Sequence, residues 1–162
     1  MRMTAKTRWL AIGTMLALAA PIALASAQAI DPAIGTWELN VAKSKYSAGG
    51  APKSQTRTYV ATAKGYKFTA KGVGADGKPT STEFTVGFDG KYVPVTGNPA
   101  IDSIMVKRVN ASTIKAWQKK GNAMAIRTTR AISKDGKTLT ATARGKNAAG
   151  KAYTNVEVFD KK

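Results

Sequence analysis

The sequence predicts an all-β protein, a single antiparallel up-and-down β-barrel of about ten strands that follows a signal-peptide helix. Residues 55–159 are rich in Thr, Val, Ile, Tyr and Phe, with short alternations and no long helical period. The tripeptide Asp-Gly-Lys recurs at 76–78, 89–91 and 135–137, and Asp-Gly favours tight turns between antiparallel strands. Because the links are short, each strand should pair with its predecessor, and closing this meander into a barrel leaves no edges. A two-sheet sandwich is the alternative.

The first 27 residues have the pattern of a secretory signal peptide. Three basic residues precede an apolar run over 9–25, and two overlapping Ala-x-Ala sites follow, ending at Ala27 and Ala29. We expect cleavage after Ala27, which leaves residues 28–162 as the barrel domain, or else after Ala29. An N-terminal membrane anchor is the alternative, since the run is at the short end of bilayer-spanning lengths. With cleavage, the protein is exported to the periplasm or the extracellular space, and the mature chain has no transmembrane segment.

The strands of the expected barrel are separated by breaks at glycine, asparagine and proline. In chain order, we expect them at Gly35–Asn40, Ser54–Lys64, Tyr66–Val73, Thr80–Asp89, Lys91–Val95, Ile101–Val109, Ser112–Lys119, Ala123–Ser133, Lys137–Gly145 and Lys151–Lys161. The longest link, Val41 to Lys53, is rich in Ser, Gly, Ala and Pro, and we expect it to be a loop lying across a barrel mouth.

The composition excludes several kinds of chemistry. The 162 residues include no cysteine and no histidine, which excludes disulfides, a thiol nucleophile, a Ser-His-Asp relay and an ordinary zinc site. Most of the nine acidic residues lie in turns or at strand ends, and the phases of Glu38, Glu83 and Glu157 indicate solvent exposure. No glycine-rich segment ends in the Gly-Lys-Ser/Thr of a phosphate loop. We therefore predict no catalytic residue, no metal site, no cofactor and no enzymatic activity.

The first strand and its approach carry a recognisable motif. Residues 30–39, Ile-Asp-Pro-Ala-Ile-Gly-Thr-Trp-Glu-Leu, resemble the Gly-x-Trp opening of the lipocalins and the Gly-Thr-Trp-x-Leu opening of the fatty-acid-binding proteins. Both families belong to the calycin group of antiparallel barrels. With Val-Thr-Gly-Asn-Pro at 95–99 and Ser-Lys-Asp-Gly-Lys-Thr-Leu-Thr at 133–140, the whole chain is also similar to a group of exported bacterial lipocalin-like proteins.

The resemblance implies a calycin-like barrel that binds lipids, and it implies structural roles for Gly35 and Trp37. In the calycins the tryptophan of this motif closes one end of the barrel, so Trp37 is expected to be a plug and not a ligand contact. The chain departs from both families elsewhere. It lacks a clear Thr-Asp-Tyr second lipocalin motif, and the Ser/Gly/Pro-rich loop replaces the helical lid of the fatty-acid-binding proteins.

Alternation along the strands selects the side chains that should point into the barrel. They form either a packed core or the lining of a cavity, because a barrel of about ten strands is wide enough to leave a hollow. The cavity candidates are Tyr59, Tyr66, Phe68, Phe84, Phe88 and Ile126, together with Arg108 and Arg130. By the same alternation we also expect Met124, Val156 and Val158 to point inward.

Arg108 and Arg130 are in phase with apolar neighbours on their strands. A buried guanidinium group needs a partner, since an unpaired charge is costly to desolvate. Acidic residues are scarce in this half of the chain, so a ligand carboxylate bound through bidentate hydrogen bonds is one candidate partner. The alternative is that the strand ends let both arginines reach water or backbone carbonyls.

Positive charge is concentrated in the second half of the chain. Residues 31–102 hold nine basic and six acidic side chains, a net charge of +3, whereas residues 103–162 hold fourteen and three, a net charge of +11. The side chains expected on one outer face are Lys107, Lys115, Trp117, Lys119, Arg127 and Arg144. Such a face suits an anionic lipid or polysaccharide surface. The alternative is a solvated face with Trp117 turned inward by a bulge.

These observations predict an exported barrel that binds an apolar or amphiphilic ligand, one able to carry a carboxylate, in its interior. The alternative function is a non-enzymatic interaction module whose basic face binds an anionic envelope polymer or membrane surface. A packed barrel with a purely structural role is a third possibility. No sequence-specific binding of nucleic acid is predicted.

Overall fold

The computed structural model describes residues 30–147 and 149–162. The expected signal peptide and both of its cleavage sites lie outside the described residues. Within them the strands are β1 (Gly35–Leu39), β2 (Lys45–Tyr46), β3 (Ser54–Ala61), β4 (Gly65–Val73), β5 (Pro79–Gly87), β6 (Val93–Pro94), β7 (Ser103–Arg108), β8 (Thr113–Lys120), β9 (Ala123–Ile132), β10 (Thr138–Lys146) and β11 (Ala152–Lys161). A single 3₁₀ turn, Val41–Lys43, follows β1.

The strands form a nearly closed antiparallel barrel, which confirms the predicted fold class. Their order is β5-β4-β3-β1-β11-β10-β9-β8-β7-β6. The first strand lies between β3 and β11, so the first and last strands of the barrel pair with each other. At the remaining seam, β5 contacts the segment after β6 through one isolated bridge, Glu83 with Thr96. Ten strands thus make the barrel, and β2 pairs only with β11.

The segment Val41–Lys53 differs from the expected loop because its first half lies along β11. The Asn40 side chain accepts a hydrogen bond from the Lys43 amide at 3.1 Å, which caps the short 3₁₀ turn. The Ser44 hydroxyl accepts a hydrogen bond from the Val158 amide at 2.9 Å. The predicted strand at Lys91–Val95 is also shorter than expected and is reduced to β6.

The three Asp-Gly-Lys tripeptides all form turns between sequential strands. In each of them the aspartate side chain accepts a hydrogen bond from the amide of the following lysine, as from Asp135 to Lys137 at 3.1 Å. The glycine has a positive φ each time, +70° at Gly136. Among the described residues only glycines have positive φ, so the aspartate stays in ordinary backbone space and the glycine alone supplies the reversal.

One end of the barrel is filled by large side chains. Trp37, Leu139 and Phe159 are fully buried there, and the Trp37 indole Nε1 donates a hydrogen bond to the Ala33 carbonyl at 2.7 Å. This contact folds the segment before β1 under the barrel. We refer to this end as the Trp37 end.

Alternation assigns the wrong face in two places. On β11, Tyr153, Asn155 and Glu157 line the interior, so the inward prediction for Val156 and Val158 is wrong; the turn and β2 pack along β11 instead. On β9, Met124 is 41% exposed, because an irregularity between Gln118 and Lys119 of β8 shifts the pairing by one residue.

No helix among the described residues is long and apolar enough to cross a membrane.

Candidate functional site

A cavity of about 290 Å³ occupies the barrel interior between the Trp37 end and the opposite mouth. Side chains from eight strands, β3 to β5 and β7 to β11, contribute to its wall. Five of the predicted aromatic and aliphatic candidates line it: Tyr59, Tyr66, Phe68, Phe84 and Ile126. Small residues such as Ala70, Ala116 and Ala141 face them and leave the space open.

The aromatic side of the cavity is a connected stack. The rings of Tyr59 and Phe68 meet edge to face with centroids 5.0 Å apart, and those of Phe68 and Phe84 stack at 4.7 Å. Tyr59 also meets Tyr66 at 5.2 Å. Each of these contacts joins neighbouring strands of β3, β4 and β5. Aromatic pairs of this kind add to the stabilisation from burial, so this wall is rigid and apolar.

Arg130 reaches the base of the cavity, where its partner is Asp31. Arg130 is 3% and Asp31 5% exposed, and Arg130 Nη2 lies 2.7 Å from both carboxylate oxygens. The Ala33 amide donates a further hydrogen bond to Asp31 at 2.9 Å. Sequence reasoning placed Asp31 at a strand end and left the partner of Arg130 open. The structure supplies that partner from within the chain, so no ligand carboxylate is needed to neutralise Arg130.

Arg108 joins the same carboxylate more loosely, with its Nη2 3.8 Å from Asp31 Oδ2. Its guanidinium lies 4.2 Å from the ring centroid of Phe88. Arg108 and Phe88 do not line the central cavity; they line a smaller pocket of about 260 Å³ beside Ile34. Both predicted arginines therefore lie close to Asp31, but only Arg130 lines the central cavity.

Arg130 does not use all of its hydrogen-bond donors within the described residues. Its Nε and Nη1 atoms are buried and have no hydrogen-bond partner among the described residues. The guanidinium lies 5.3 Å and 5.5 Å from the ring centroids of Tyr59 and Tyr66. Burial alone would lower the pKa of Arg130, but its pKa is raised because Tyr59, Tyr66 and Asp31 stabilise the cation. Burial also disfavours the charged form of Tyr66, and it therefore raises the pKa of Tyr66. Arg130 is therefore a permanent cation whose donors border the cavity.

A second ion pair lines the cavity. Arg57 Nη2 pairs with Glu157 Oε2, and both side chains are mostly buried. Arg57 Nε also donates to the Gln55 side chain at 2.7 Å, and its guanidinium lies 4.1 Å from the Phe159 ring centroid. The prediction that Glu157 faces solvent is therefore wrong. Sequence reasoning missed this pair because it assigned β11 to the opposite phase.

The outer surface of β8, β9 and β10 carries a groove of about 870 Å³, which we call the basic groove. Four of the six residues predicted on this face line it: Lys115, Trp117, Arg127 and Arg144. Lys146 adds a further cation. The other two residues lie elsewhere, since Lys107 packs beside Gly90 and Lys119 lies 4.1 Å from the Tyr92 ring centroid. Their roles in binding stay predictions.

The register of the strands places like charges opposite each other. Arg127 on β9 faces Arg144 on β10, and Trp117 on β8 faces Arg127. Lys107 and Lys115 form a similar pair between β7 and β8. Among the described residues no carboxylate lies within 4 Å of Lys115, Arg127 or Arg144. Directly opposed like charges destabilise a sheet, so these cation pairs are unfavourable for the stability of the barrel.

The basic groove and the cavity share part of their walls. Ala116, Ile126, Thr128 and Tyr153 line both spaces. Gly145 on β10 permits this arrangement: a Cβ atom there would lie 2.9 Å from the Tyr153 hydroxyl and 2.8 Å from the Ala125 carbonyl. The absence of a side chain lets the Tyr153 ring lie against β10, at a position that lines both spaces.

No group of three or more carboxylate or other metal-binding side chains comes together in the part of the chain that the structure describes. The buried Asp31 and the mostly buried Glu157 each pair with an arginine.

Comparison with known proteins shows a likeness of fold to solved structures. No family model matches the chain, and no curated protein matches its sequence. Among solved structures, the chain is similar to zebrafish ileal bile acid-binding protein complexed with cholic acid, with 16% sequence identity and a TM-score of 0.48 over 81% of this chain and 99% of that one. The nearly closed antiparallel barrel described above is the architecture that the resemblance to calycins implies.

Proposed function

We propose that the barrel interior binds a small apolar or amphiphilic molecule. The observation that carries this proposal is the cavity itself, about 290 Å³ in volume, within a barrel whose Trp37 end is tightly filled. Protein interiors are normally packed without voids larger than a water molecule. The volume lies close to the lower limit of small-molecule sites, about 300–1,000 Å³. The cavity therefore suits a compact ligand or the apolar part of a larger one.

The chemistry of the wall defines what the ligand should carry. One side is the aromatic stack of β3 to β5, which favours an apolar body. At the base, the Nε and Nη1 atoms of Arg130 offer donors to an oxygen acceptor such as a hydroxyl, carbonyl or carboxylate group. Because Arg130 is already paired with Asp31, a neutral hydroxyl or carbonyl oxygen suits this end better than a carboxylate.

Native mass spectrometry of the protein, expressed as the full chain and purified from its own cell envelope, tests this proposal. We expect copurified small amphiphiles that are released on denaturation. Ala143→Leu places a larger side chain in the cavity and should reduce the bound fraction about tenfold or more. Thr142→Leu is the matched control, because residue 142 lies on the other face of β10. Equal occupancy in the two variants would show that the ligand does not lie in the cavity.

A folding defect must be separated from a binding defect. Both variants are therefore compared by circular dichroism and by the midpoint of urea unfolding. If Ala143→Leu unfolds too readily, the smaller Ala143→Val replaces it. Failure of titrated alkyl alcohols and fatty acids to bind the wild-type protein, together with an absence of copurified ligand, would overturn the proposal.

The outer face supports a second candidate function, attachment to an anionic envelope polymer or membrane surface. The observation that favours it is the set of opposed cations in the basic groove, without carboxylates within 4 Å. Cosedimentation with phosphatidylglycerol vesicles should be strong at low salt and weak at high salt. Retention that does not depend on ionic strength would contradict an electrostatic attachment.

Export is part of the same proposal. It rests on the basic, apolar and Ala-x-Ala pattern of residues 1–29. N-terminal sequencing of the protein from a periplasmic or extracellular fraction should show a chain that begins at Gln28 or Ile30. A mature protein that begins at residue 1 or 2 would contradict cleavage. The proposed function is binding, without an enzymatic step.

A further inference from the structure

The basic groove and the cavity together define a site with two chemically different halves. We propose that this joint site binds an anionic amphiphile, with its phosphate or sulfate headgroup in the basic groove and its apolar chain in the barrel interior. The chain would enter beside Tyr153 and Ile126, which line both spaces. This inference rests on the proposed function of the cavity and adds the headgroup chemistry, its location and the orientation of the ligand.

The distribution of compensated and uncompensated charge supports this orientation. Inside the barrel the two cations that border the cavity are each paired with a carboxylate, Arg130 with Asp31 and Arg57 with Glu157. A permanent anion placed there would be desolvated beside an existing carboxylate, which is costly. In the groove Lys115, Arg127 and Arg144 have no carboxylate within 4 Å among the described residues. An anion in the groove gains charge-assisted hydrogen bonds and keeps part of its hydration.

The register of the strands gives independent support. Arg127 and Arg144 are directly opposite each other on the outside of β9 and β10. An anion between them relieves the repulsion that the pairing creates. Trp117, directly opposite Arg127 on β8, supplies an apolar wall to the same groove.

The linings of the two spaces suit the two parts of a divided ligand. The cavity holds about 290 Å³ and the groove about 870 Å³. The smaller space has the aromatic wall, and the larger one is lined by the cations. Met124, 41% exposed at the edge of β9, also lines the groove, so the first part of an alkyl chain meets apolar contacts before it enters the barrel.

Isothermal titration calorimetry of the full-chain protein tests the proposal with four probes: octyl phosphate, 1-octanol, inorganic phosphate and phosphatidylglycerol vesicles. We expect octyl phosphate to bind about tenfold or more tightly than 1-octanol at low salt, because only the phosphate engages the groove. It should also bind at least about a hundredfold more tightly than inorganic phosphate, because the chain is buried.

Two double variants with equal charge change separate the groove from general electrostatics. Arg127→Gln with Arg144→Gln should remove the preference for octyl phosphate over 1-octanol. Lys64→Gln with Lys71→Gln removes the same charge from exposed positions near β4 and should leave the preference unchanged. Equal losses in both double variants would overturn the proposal, since any surface cation would then serve.

The remaining outcomes distinguish this inference from the proposed function. If both octyl probes bind and the groove variant has no effect, the cavity binds ligands but the headgroup assignment fails. If neither octyl probe binds, the proposed function fails as well. Inorganic phosphate binding as tightly as octyl phosphate would indicate a free-anion site. Binding to vesicles without binding to octyl phosphate would indicate a membrane-attachment surface, and either of these results overturns the divided site.

Discussion

Asp31 and Arg130 show how one buried pair organises an end of the barrel. The carboxylate accepts hydrogen bonds from the Ala33 amide and from Arg130, and it attracts Arg108 at 3.8 Å. These contacts anchor the segment before β1 against β9, although the two residues are 99 positions apart. Because a buried charge is tolerated only with a partner, the pair couples the position of the N-terminal segment to the base of the cavity.

Asp31→Asn should therefore destabilise the protein. The substitution keeps the side-chain size but leaves the Arg130 cation buried without its counter-ion, which costs about 3–5 kcal/mol. Urea unfolding followed by circular dichroism measures the loss. Asp76→Asn, at an exposed turn, is the control and should change stability by less than about 0.5 kcal/mol. Adding Arg130→Met to Asp31→Asn should restore part of the loss, and a further decrease in stability would contradict the role of the unpaired cation.

Tyr46 on β2 makes the free energy of unfolding depend on pH in the alkaline range. Burial and the nearby charge of Glu157 raise its pKa from 10.0 to about 12. The folded protein keeps this proton where the unfolded chain loses it, so the stabilisation is complete below pH 10 and declines as the pH rises from 10 to about 12. Tyr46→Phe should show a shallower decline in the urea midpoint over this range. Identical slopes for the variant and the wild-type protein would contradict the shift.

The two faces of β11 differ in what covers them. Outward-facing Val156 pairs with Lys45 of β2, and the Val158 amide donates to Ser44. The inward face carries Tyr153, Asn155 and Glu157, which border the cavity. The apolar residues of β11 are divided between its two faces, since Phe159 is buried inside at the Trp37 end whereas Val156 and Val158 face β2 and the segment before it. The polar residues are inside because the interior is a cavity with an ion pair on its wall.

The pairing of β9 with β10 predicts a conflict between stability and binding. Arg144→Glu replaces a like-charge pair with an opposite-charge pair across from Arg127. At low salt we expect the free energy of unfolding to rise by about 0.5 kcal/mol, and the gain should shrink at high salt because both groups are exposed. Octyl phosphate should bind about tenfold or more weakly to this variant. A variant that is less stable at low salt would show that the two arginines do not repel each other.

For the molecule as a whole, the Trp37 end is the packed end, and the ligand entry that we propose beside Tyr153 lies towards the opposite end. Trp37, Leu139 and Phe159 fill the former, and none of the three lines the cavity. Closure depends on β1, which joins β3 to β11. Arg57 touches this layer, since its guanidinium lies 4.1 Å from the Phe159 ring centroid, whereas the aromatic stack and the basic groove include none of the three residues.

Trp37→Phe should separate these roles. The variant loses the hydrogen bond from Nε1 to the Ala33 carbonyl and leaves a small void, which together cost about 1–3 kcal/mol. Thermal and urea unfolding measure this loss. The affinity for octyl phosphate should remain within about twofold of the wild-type value, because Trp37 does not line the cavity. A large loss of affinity in a folded variant would assign Trp37 to the binding site.

The predictions that succeeded from sequence depend on local physics. The strands and the three Asp-Gly-Lys turns follow from side-chain alternation and from the conformational freedom of glycine, as at Gly136. The aromatic stack of Tyr59, Phe68 and Phe84 follows from the same alternation on three sequential strands. The prediction failed at Met124, where a shift in pairing with β8 interrupts the pattern.

The sequence by itself determined an all-β chain with its cations concentrated in the second half, because turn chemistry and the two-residue period of strands act over short distances. Only the tertiary structure decided that Asp31 is the partner of Arg130, that Glu157 faces the interior, and that a basic groove meets the cavity. These features depend on closure of the barrel and on the register of its strands. Closure brings together residues that are far apart in the chain, and a one-residue shift in register reverses the face of every side chain that follows.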